Sequence, residues 1–181
     1  MISRCDDLVC ESWKEVFVST VHMIVGNTGA GKTTYAIDLA QQRNCIRYSI
    51  DEWMESLFEA DKSDAPTYEW MLERVNRIQH QMLKMVAQHI RCKQDVILDL
   101  GFFTKKQRNV VRSSIASNHG NVRMHYLDID AAIRWERVQK RNTEQGETYA
   151  LQVTREVFDF CETLFEVPGE TELEGALIVR V

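Results

Sequence analysis

One short segment of this sequence has the residue types that hold phosphate groups. Residues 26–33 read Gly-Asn-Thr-Gly-Ala-Gly-Lys-Thr and match the pattern G-x-x-x-x-G-K-[ST]. The glycines allow a tight backbone turn whose N–H groups converge on phosphate oxygens. Lys32 is placed to reach the β- and γ-phosphates, and the Thr33 hydroxyl is a hard oxygen ligand for Mg²⁺. The segment, called the phosphate loop below, therefore predicts a nucleoside triphosphate site with Mg²⁺.

The base of the nucleotide is predicted by exclusion. The glycine spacing differs from the G-x-G-x-x-G pattern of dinucleotide-binding proteins, which disfavours a nicotinamide enzyme. An Asn-Lys-x-Asp run, which would read guanine, does not occur in the sequence. ATP is therefore the expected nucleotide. The residues assigned to its binding are Gly26, Asn27, Thr28, Gly29, Ala30, Gly31, Lys32, Thr33 and, with weaker support, Thr34.

Short apolar runs that alternate with longer helical patterns must position this loop. The runs are read as strands buried on both faces, which is typical of a parallel sheet. They cover 20–25, 45–50, 95–100, 122–127 and 176–181. Helices are predicted over 31–42, 66–91, 104–118, 130–142 and 150–165. This order predicts a doubly wound α/β fold, in which ligands bind at the carboxyl ends of the strands.

Two carboxylates follow strands and are expected to face the phosphate loop. Asp51 ends the second run and Asp99 ends the third. We assign Asp51 as the general base that binds the acceptor hydroxyl and Asp99 to the Mg²⁺ shell, although the two roles could be exchanged. An alternative for Asp51 is that it caps a helix starting at Glu52.

Arginines at three- and four-residue steps mark one face of the fourth predicted helix. They are Arg134, Arg137 and Arg141, and the polar segment 139–148 that follows is read as a lid over the nucleotide. Arg137 is assigned to catalysis and Arg141 to nucleotide binding, and the alternative is a solvated charged face. A second basic cluster, made of Lys105, Lys106, Arg108 and Arg112, is read as a solvated face that could otherwise bind an anionic acceptor.

The same residues resemble a known group of proteins. The phosphate loop, Ser49-Ile50-Asp51, Asp99 and the segment Arg137–Asn142 look like the predicted ATP-dependent kinases of the P-loop superfamily. That group includes phage-type polynucleotide kinase, chloramphenicol phosphotransferase and zeta-toxin-like kinases. The resemblance spans about residues 21–181. It implies a three-layer, nucleoside-monophosphate-kinase-like α/β fold with a five-stranded parallel sheet in the order 2-3-1-4-5. It also implies ATP and Mg²⁺ as cofactors, Asp51 as the base and an arginine lid.

Composition excludes several other classes of protein. The chain has 181 residues, 44% of them hydrophobic, and a formal net charge of −5, which disfavours a chain-wide nucleic-acid surface. No apolar stretch approaches the length of a membrane span. The five cysteines, in odd number and without a C-x-x-C pair, indicate free thiols and a cytoplasmic protein. Residues 1–19 are read as a leader, either a short amphipathic helix or a poorly ordered segment, before one domain over 20–181.

Together these features predict an ATP-dependent phosphotransferase. It would move the γ-phosphoryl group to a hydroxyl of a small molecule, with a nucleic-acid end possible but not favoured. The alternative is an ATP-binding regulatory or toxin–antitoxin module that lacks small-molecule kinase activity. The sequence identifies neither the acceptor nor the oligomeric state.

Overall fold

A five-stranded parallel sheet forms the centre of the computed structural model, which describes residues 18–63, 67–144 and 152–180. The sheet order is β2-β3-β1-β4-β5, and every pairing is parallel, as expected. The strands are β1 (Thr20–Val25), β2 (Ile46–Ser49), β3 (Val96–Asp99), β4 (Asn121–Leu127) and β5 (Leu177–Val179). The predicted runs and their order are thus confirmed, with bounds that shift by up to two residues.

Seven helices connect and cover these strands in the described residues. The predicted long helix loses its first residues, because Thr67 caps α3 and Pro66 lies outside the described ranges. The helices are α1 (Lys32–Arg43), α2 (Ile50–Phe58), α3 (Tyr68–Arg91), α4 (Lys105–Ser117), α5 (Ala131–Glu144), α6 (Arg155–Leu164) and α7 (Glu170–Leu173), with a single 3₁₀ turn at Glu59–Asp61.

Side-chain hydrogen bonds fix where the helices begin. Thr104 and Gln107 form a capping box at the start of α4. Asp130 accepts a hydrogen bond from the Ala132 amide at 2.8 Å, so it caps α5. The Thr154 side chain accepts from the Val157 amide, which places the start of α6 a turn later than the predicted position.

Strand register separates two apolar layers. Val21, Met23 and Val25 of β1 face the larger layer, which is packed under α2, α3 and α4. Ile24 faces the smaller layer under α1, together with Ile97 of β3. Because β1 pairs with both β3 and β4, its carboxyl end lies in the middle of the sheet and presents the phosphate loop there.

Two buried histidines of the sheet are hydrogen-bonded to each other. His22 and His125 lie on neighbouring strands, and Nδ1 of His22 is 2.9 Å from Nε2 of His125. Within the described residues Cys45, Cys92 and Cys161 are free thiols, and Cys5 and Cys10 lie outside them. No described helix combines the length and apolar character that crossing a bilayer requires.

Candidate active site

The phosphate loop has the backbone shape that its sequence predicts. Gly29 and Gly31 adopt left-handed conformations with φ of 80° and 89°, which are costly for residues with a Cβ atom. The amide of Ala30 donates to the carbonyl of Asn27 at 3.1 Å, and α1 begins immediately after Gly31. The loop therefore leads into a helix N-terminus, where free N–H groups favour an anion.

Close contacts with neighbouring elements also require glycine in this loop. A Cβ atom on Gly29 would lie 2.5 Å from the carbonyl oxygen of Arg134 and 2.9 Å from Val138 of α5. A Cβ atom on Gly26 would lie 3.1 Å from Leu127 at the end of β4. The loop is thus held between β4 and α5 and has no space for side chains on the inner side.

Lys32 lies beside the predicted acids. Its ammonium group donates to the Asn27 carbonyl at 3.2 Å, which folds the side chain back over the loop. Burial lowers the pKa of Lys32, and the carboxylates of Asp99 and Asp51 act in the opposite direction. Both acids therefore share the electrostatic environment of the loop lysine.

Asp99 is buried at the carboxyl end of β3, with an exposed fraction of 5%. Burial raises the pKa of this carboxyl, while Lys32, Arg47 and a hydrogen bond from Thr33 lower it. The contact with Thr33 brings together the two residues predicted to serve Mg²⁺. A hydroxyl and a carboxylate are oxygen donors of the kind that Mg²⁺ prefers, so they fit this metal.

The structure places Asp51 in the first turn of α2, where its side chain is exposed. The helix N-cap is Ser49, whose hydroxyl accepts a hydrogen bond from the Glu52 amide at 3.4 Å. The alternative that Asp51 caps a helix starting at Glu52 is therefore wrong. An exposed carboxylate near Lys32 and Asp99 is accessible to a second substrate.

Arg47 is a site residue that the sequence did not indicate. It lies in β2, its side chain is 12% exposed, and Nη1 is 3.3 Å from Oδ2 of Asp99. Its other terminal nitrogen pairs with Glu52, next to Asp51. Ser49 pairs with Asp99 across the strands, so Arg47 and Asp99 share a face of the sheet. Strand alternation would have indicated this contact only with the register known.

The arginine face of α5 consists of residues in different environments. Arg134 is 6% exposed and forms a bidentate ion pair with Glu162 of α6, with N–O distances of 2.6 and 2.8 Å. Its guanidinium also donates to the Thr28 carbonyl at 3.1 Å. Arg137 donates to the Ala30 carbonyl at 3.3 Å, so it too lies against the phosphate loop. A solvated face is therefore wrong for these two residues.

Glu162 links this arginine to the loop and was not indicated by the sequence. Its Oε1 accepts a hydrogen bond from the side-chain amide of Asn27 at 2.5 Å as well as from Arg134. Asn27 in turn accepts from the Thr28 amide at 2.7 Å. We call Asn27, Arg134 and Glu162 the loop clasp. It holds the start of the phosphate loop through partners distant in sequence.

The predicted lid is only partly covered by the structure. Residues 139–144 are the last turns of α5, with Arg141 in its final turn, so this part is helix. Residues 145–148 lie outside the described ranges. The side-chain amide of Asn142 donates to the carbonyl of Val153 and accepts from its N–H group, so the last turns of α5 are joined to the residues just before α6.

The second basic cluster is not a single solvated face. Arg108 is fully buried and pairs with Glu172 at 2.7 and 3.0 Å, and Arg112 donates to the Glu172 carbonyl. The expectation of solvent exposure holds only for Lys105 and Lys106. Phe102, just before α4, is buried in the core.

A metal site made of protein ligands alone does not occur in the described ranges, where no three His, Cys, Asp or Glu side chains come together. The Thr33–Asp99 pair offers fewer ligands than a metal shell needs. Mg²⁺ is commonly completed by phosphate oxygens and water, so a shared site with a nucleotide fits the residues present.

Comparison with protein families and structures places this geometry among known folds. The model of one family, AAA_33, described as an AAA domain, matches residues 21–168. Among curated proteins, no sequence is similar enough to count as a match.

Solved structures share the fold at low sequence identity. Chaetomium thermophilum Kti12 in complex with ADP-AlF3 aligns with a TM-score of 0.66, 17% identity and coverage of 88% of each chain. Mycobacterium tuberculosis APS kinase CysC in complex with AMPPNP and APS aligns with a TM-score of 0.62 and 14% identity, and the alignment covers 90% of this chain and 88% of that one. The Pnkp1/Rnl/Hen1 RNA repair complex aligns with a TM-score of 0.63 and 18% identity over 81% of this chain. This chain spans only 44% of that last protein.

Proposed function

This chain belongs to the AAA domain family AAA_33, and from that premise we propose that it is an ATP-dependent phosphotransferase with a hydroxyl acceptor. The observation that carries the proposal is the approach of two acids to the lysine of the phosphate loop. Asp99 and Asp51 both act on Lys32, one from a buried strand end and one from an exposed helix start. A nucleotide-binding module without an acceptor needs no second, exposed acid there.

The loop and its lysine bind the donor. The N–H groups of the loop and of the first turn of α1 surround the β- and γ-phosphates, and Lys32 neutralises the charge that they share. Thr33 and Asp99 would hold Mg²⁺, which supplies further neutralisation of the β- and γ-oxygens when it is bound. Asp99 suits this role better than Asp51 because it already contacts Thr33.

Asp51 binds and activates the acceptor. Its carboxylate accepts the proton of the acceptor hydroxyl as that oxygen attacks the γ-phosphorus, and the bond from phosphorus to the β-bridging oxygen breaks to release ADP. Arg137 lies against the loop at Ala30, from where it would stabilise charge on the phosphoryl group in transfer. Arg141, two turns from Arg134 on α5, is proposed to contact the nucleotide.

The proposal is tested with γ-labelled ATP and a panel of hydroxyl acceptors. The panel contains nucleosides, 5′-hydroxyl oligonucleotides, amino sugars, and aminoglycoside-like and phenicol antibiotics. We expect label transfer to one class, lost in Lys32→Ala. Asp51→Asn should retain ATP binding and reduce turnover by about 10²- to 10⁴-fold, as for removal of a general base.

Glu55→Gln is the matched control, because Glu55 is an exposed acid one turn further along the same helix. It should leave turnover unchanged. Transfer by Asp51→Asn at the rate of Glu55→Gln would show that the base is assigned incorrectly. Hydrolysis of ATP with no acceptor stimulation would instead favour a regulatory module.

The structure of Kti12 with ADP-AlF3 is a precedent for nucleotide binding on this fold. As an ATP-dependent protein with free thiols, it is proposed to act in the cytoplasm.

A further inference from the structure

A polar cleft runs along α1, against β4 and β5. It has a volume of about 560 Å³. It extends from Tyr35, in the first turn of α1, to Arg43, the last residue of that helix, so its basic end lies opposite the phosphate loop. The polar residues that line it are Tyr35, Gln42, Arg43, Asp95, Arg123 and His125.

The two arginines of this cleft are exposed and lack the carboxylate partners that three arginines elsewhere in the fold have. Arg108, Arg134 and Arg47 each pair with a carboxylate. Neither Arg43 nor Arg123 takes part in an ion pair or side-chain hydrogen bond within the described residues. Both act electrostatically on the same buried His125, so their charges converge on one region of the cleft.

A buried chain of hydrogen bonds leads from the cleft into the sheet. The Tyr35 hydroxyl is 2.7 Å from Nδ1 of His125, and Nε2 of His125 is 2.9 Å from Nδ1 of His22. Nε2 of His22 lies 4.0 Å from Oδ2 of Asp95 and has no hydrogen-bond partner. The two rings are at most 2% exposed. Asp95 itself accepts a hydrogen bond from the Thr20 amide at 2.7 Å.

The direction of this chain follows from electrostatics. Burial and the nearby arginines lower the pKa of His125 to about 4 and also lower the pKa of His22, so both rings are neutral at pH 7. Each neutral ring then has one donor and one acceptor nitrogen. A proton on Nε2 of His22 faces the Asp95 carboxylate, which sets His125 as donor to His22 and Tyr35 as donor to His125. The phenol thus points inward when the cleft holds no anion.

From the two unpaired arginines and the tyrosine at the head of the buried chain, we propose that the cleft binds a phosphate-bearing anion. Arg43 and Arg123 supply forked N–H donors, Gln42 supplies an amide, and the Tyr35 hydroxyl supplies one more. A phosphate group has more acceptor oxygens than a carboxylate and matches this number of donors. Asp95 also lines the cleft, and its Oδ1 accepts the hydrogen bond from the Thr20 amide.

Anion binding makes a further prediction about the histidines. When Tyr35 donates to the anion, its hydroxyl proton is no longer available to Nδ1 of His125. The His125 Nδ1 signal therefore shifts when the cleft fills, while both rings keep their tautomers. The change is a local signal that binding at the distant phosphate loop would not produce.

The test uses the full chain with one equivalent of a non-hydrolysable ATP analogue, so that the phosphate loop is filled and the cleft stays free. Inorganic phosphate, pyrophosphate and adenosine monophosphate are then titrated while the histidine ring nitrogens are followed by NMR. We expect a saturable shift of the His125 Nδ1 signal. Tighter binding of the monophosphate than of phosphate would identify a nucleotide as the source of the group, and the reverse would identify the free ion.

Arg123→Gln should weaken the apparent affinity by about tenfold or more, as for loss of a charge-assisted contact. Tyr35→Phe should remove this shift while retaining some binding. Arg91→Gln is the charge-matched control, since Arg91 is exposed at the end of α3 and does not line the cleft. The proposal is overturned if the histidine signals do not respond to phosphate. It is also overturned if chloride at equal ionic strength gives the same response, or if Arg91→Gln weakens binding as much as Arg123→Gln. Loss of kinase activity plays no part in these outcomes.

Discussion

The loop clasp gives a sharp prediction, because one side chain joins the phosphate loop to two helices. Glu162 accepts two hydrogen bonds from Arg134 and one from Asn27, at distances between 2.5 and 2.8 Å. Glu162→Gln keeps the shape of this side chain and removes its charge. Arg134, which is 6% exposed, would then keep a buried guanidinium without its counterion.

The expected size of the effect follows from the burial of the pair. Breaking a fully buried ion pair by removing one partner costs about 3–5 kcal/mol. Glu162 is about one-third exposed, so water compensates part of this loss, and the glutamine oxygen still accepts one hydrogen bond. We therefore expect a loss of about 2 kcal/mol in the free energy of unfolding. For a chain of this size that lowers Tm by about 4–8 °C.

Thermal unfolding and ATP-binding calorimetry measure the two consequences. Asp159→Asn is the matched control: Asp159 lies on the same helix and pairs with Arg155 at 3.0 Å, but both side chains are more than half exposed. That exposed pair should contribute less than about 1 kcal/mol. In Glu162→Gln the loop also loses its anchor, so Kd for ATP should rise by about threefold or more. The reasoning fails if Glu162→Gln and Asp159→Asn have the same Tm and the same affinity.

Two further predictions concern the loop glycine and the histidine pair. Gly29→Ala should weaken ATP binding by at least about tenfold, because its Cβ would clash with the Arg134 carbonyl and because φ at this position is left-handed. Gly169→Ala is the control, since a Cβ atom there has open space and ATP should bind normally. Equal affinities of the two variants in calorimetry would contradict this prediction. Burial lowers the pKa of His125 to about 4, below the value of about 6.5 in an unfolded chain. Between these two pKa values the unfolded state binds more protons than the folded state. The stability that depends on a neutral His125 is therefore complete above about pH 6.5 and is lost as the pH falls toward 4, by up to about 3 kcal/mol. Denaturant unfolding between about pH 7.5 and 5 should show this slope in the wild type and a smaller one in His125→Gln; identical slopes would refute it.

Elements whose signal is local were predictable from the sequence. β1 has the predicted bounds because every residue of the run after the first is buried and Gly26 follows its last residue. The phosphate loop was predictable for a similar reason, since glycine spacing and the following helix fix its shape within eight residues. The start of α2 was misplaced because Ser49 and Asp51 are both good N-cap residues, and only the geometry chooses between them.

The parts of the site that were missed depend on partners distant in sequence. Arg47 and Asp99 are separated by 52 positions, and Arg134 and Glu162 by 28. The periodicity of α5 correctly placed its arginines on one face, but periodicity does not show what that face contacts. Arg108 was misread for the same reason, because Glu172, its counterion, is 64 positions away in the short helix α7.

The position of the clasp bears on how the loop binds its ligand. A loop rich in left-handed glycines gains conformational freedom in the unfolded state and would be costly to order around a phosphate. Here its carbonyl groups at Asn27, Thr28 and Ala30 are already bound to Lys32, Arg134 and Arg137. With those oxygens turned toward cations of the protein, the amide groups are left for an anion, and little reorganisation remains to be done on binding. The specificity of the loop for phosphate therefore depends on α5 and α6 as much as on its own eight residues.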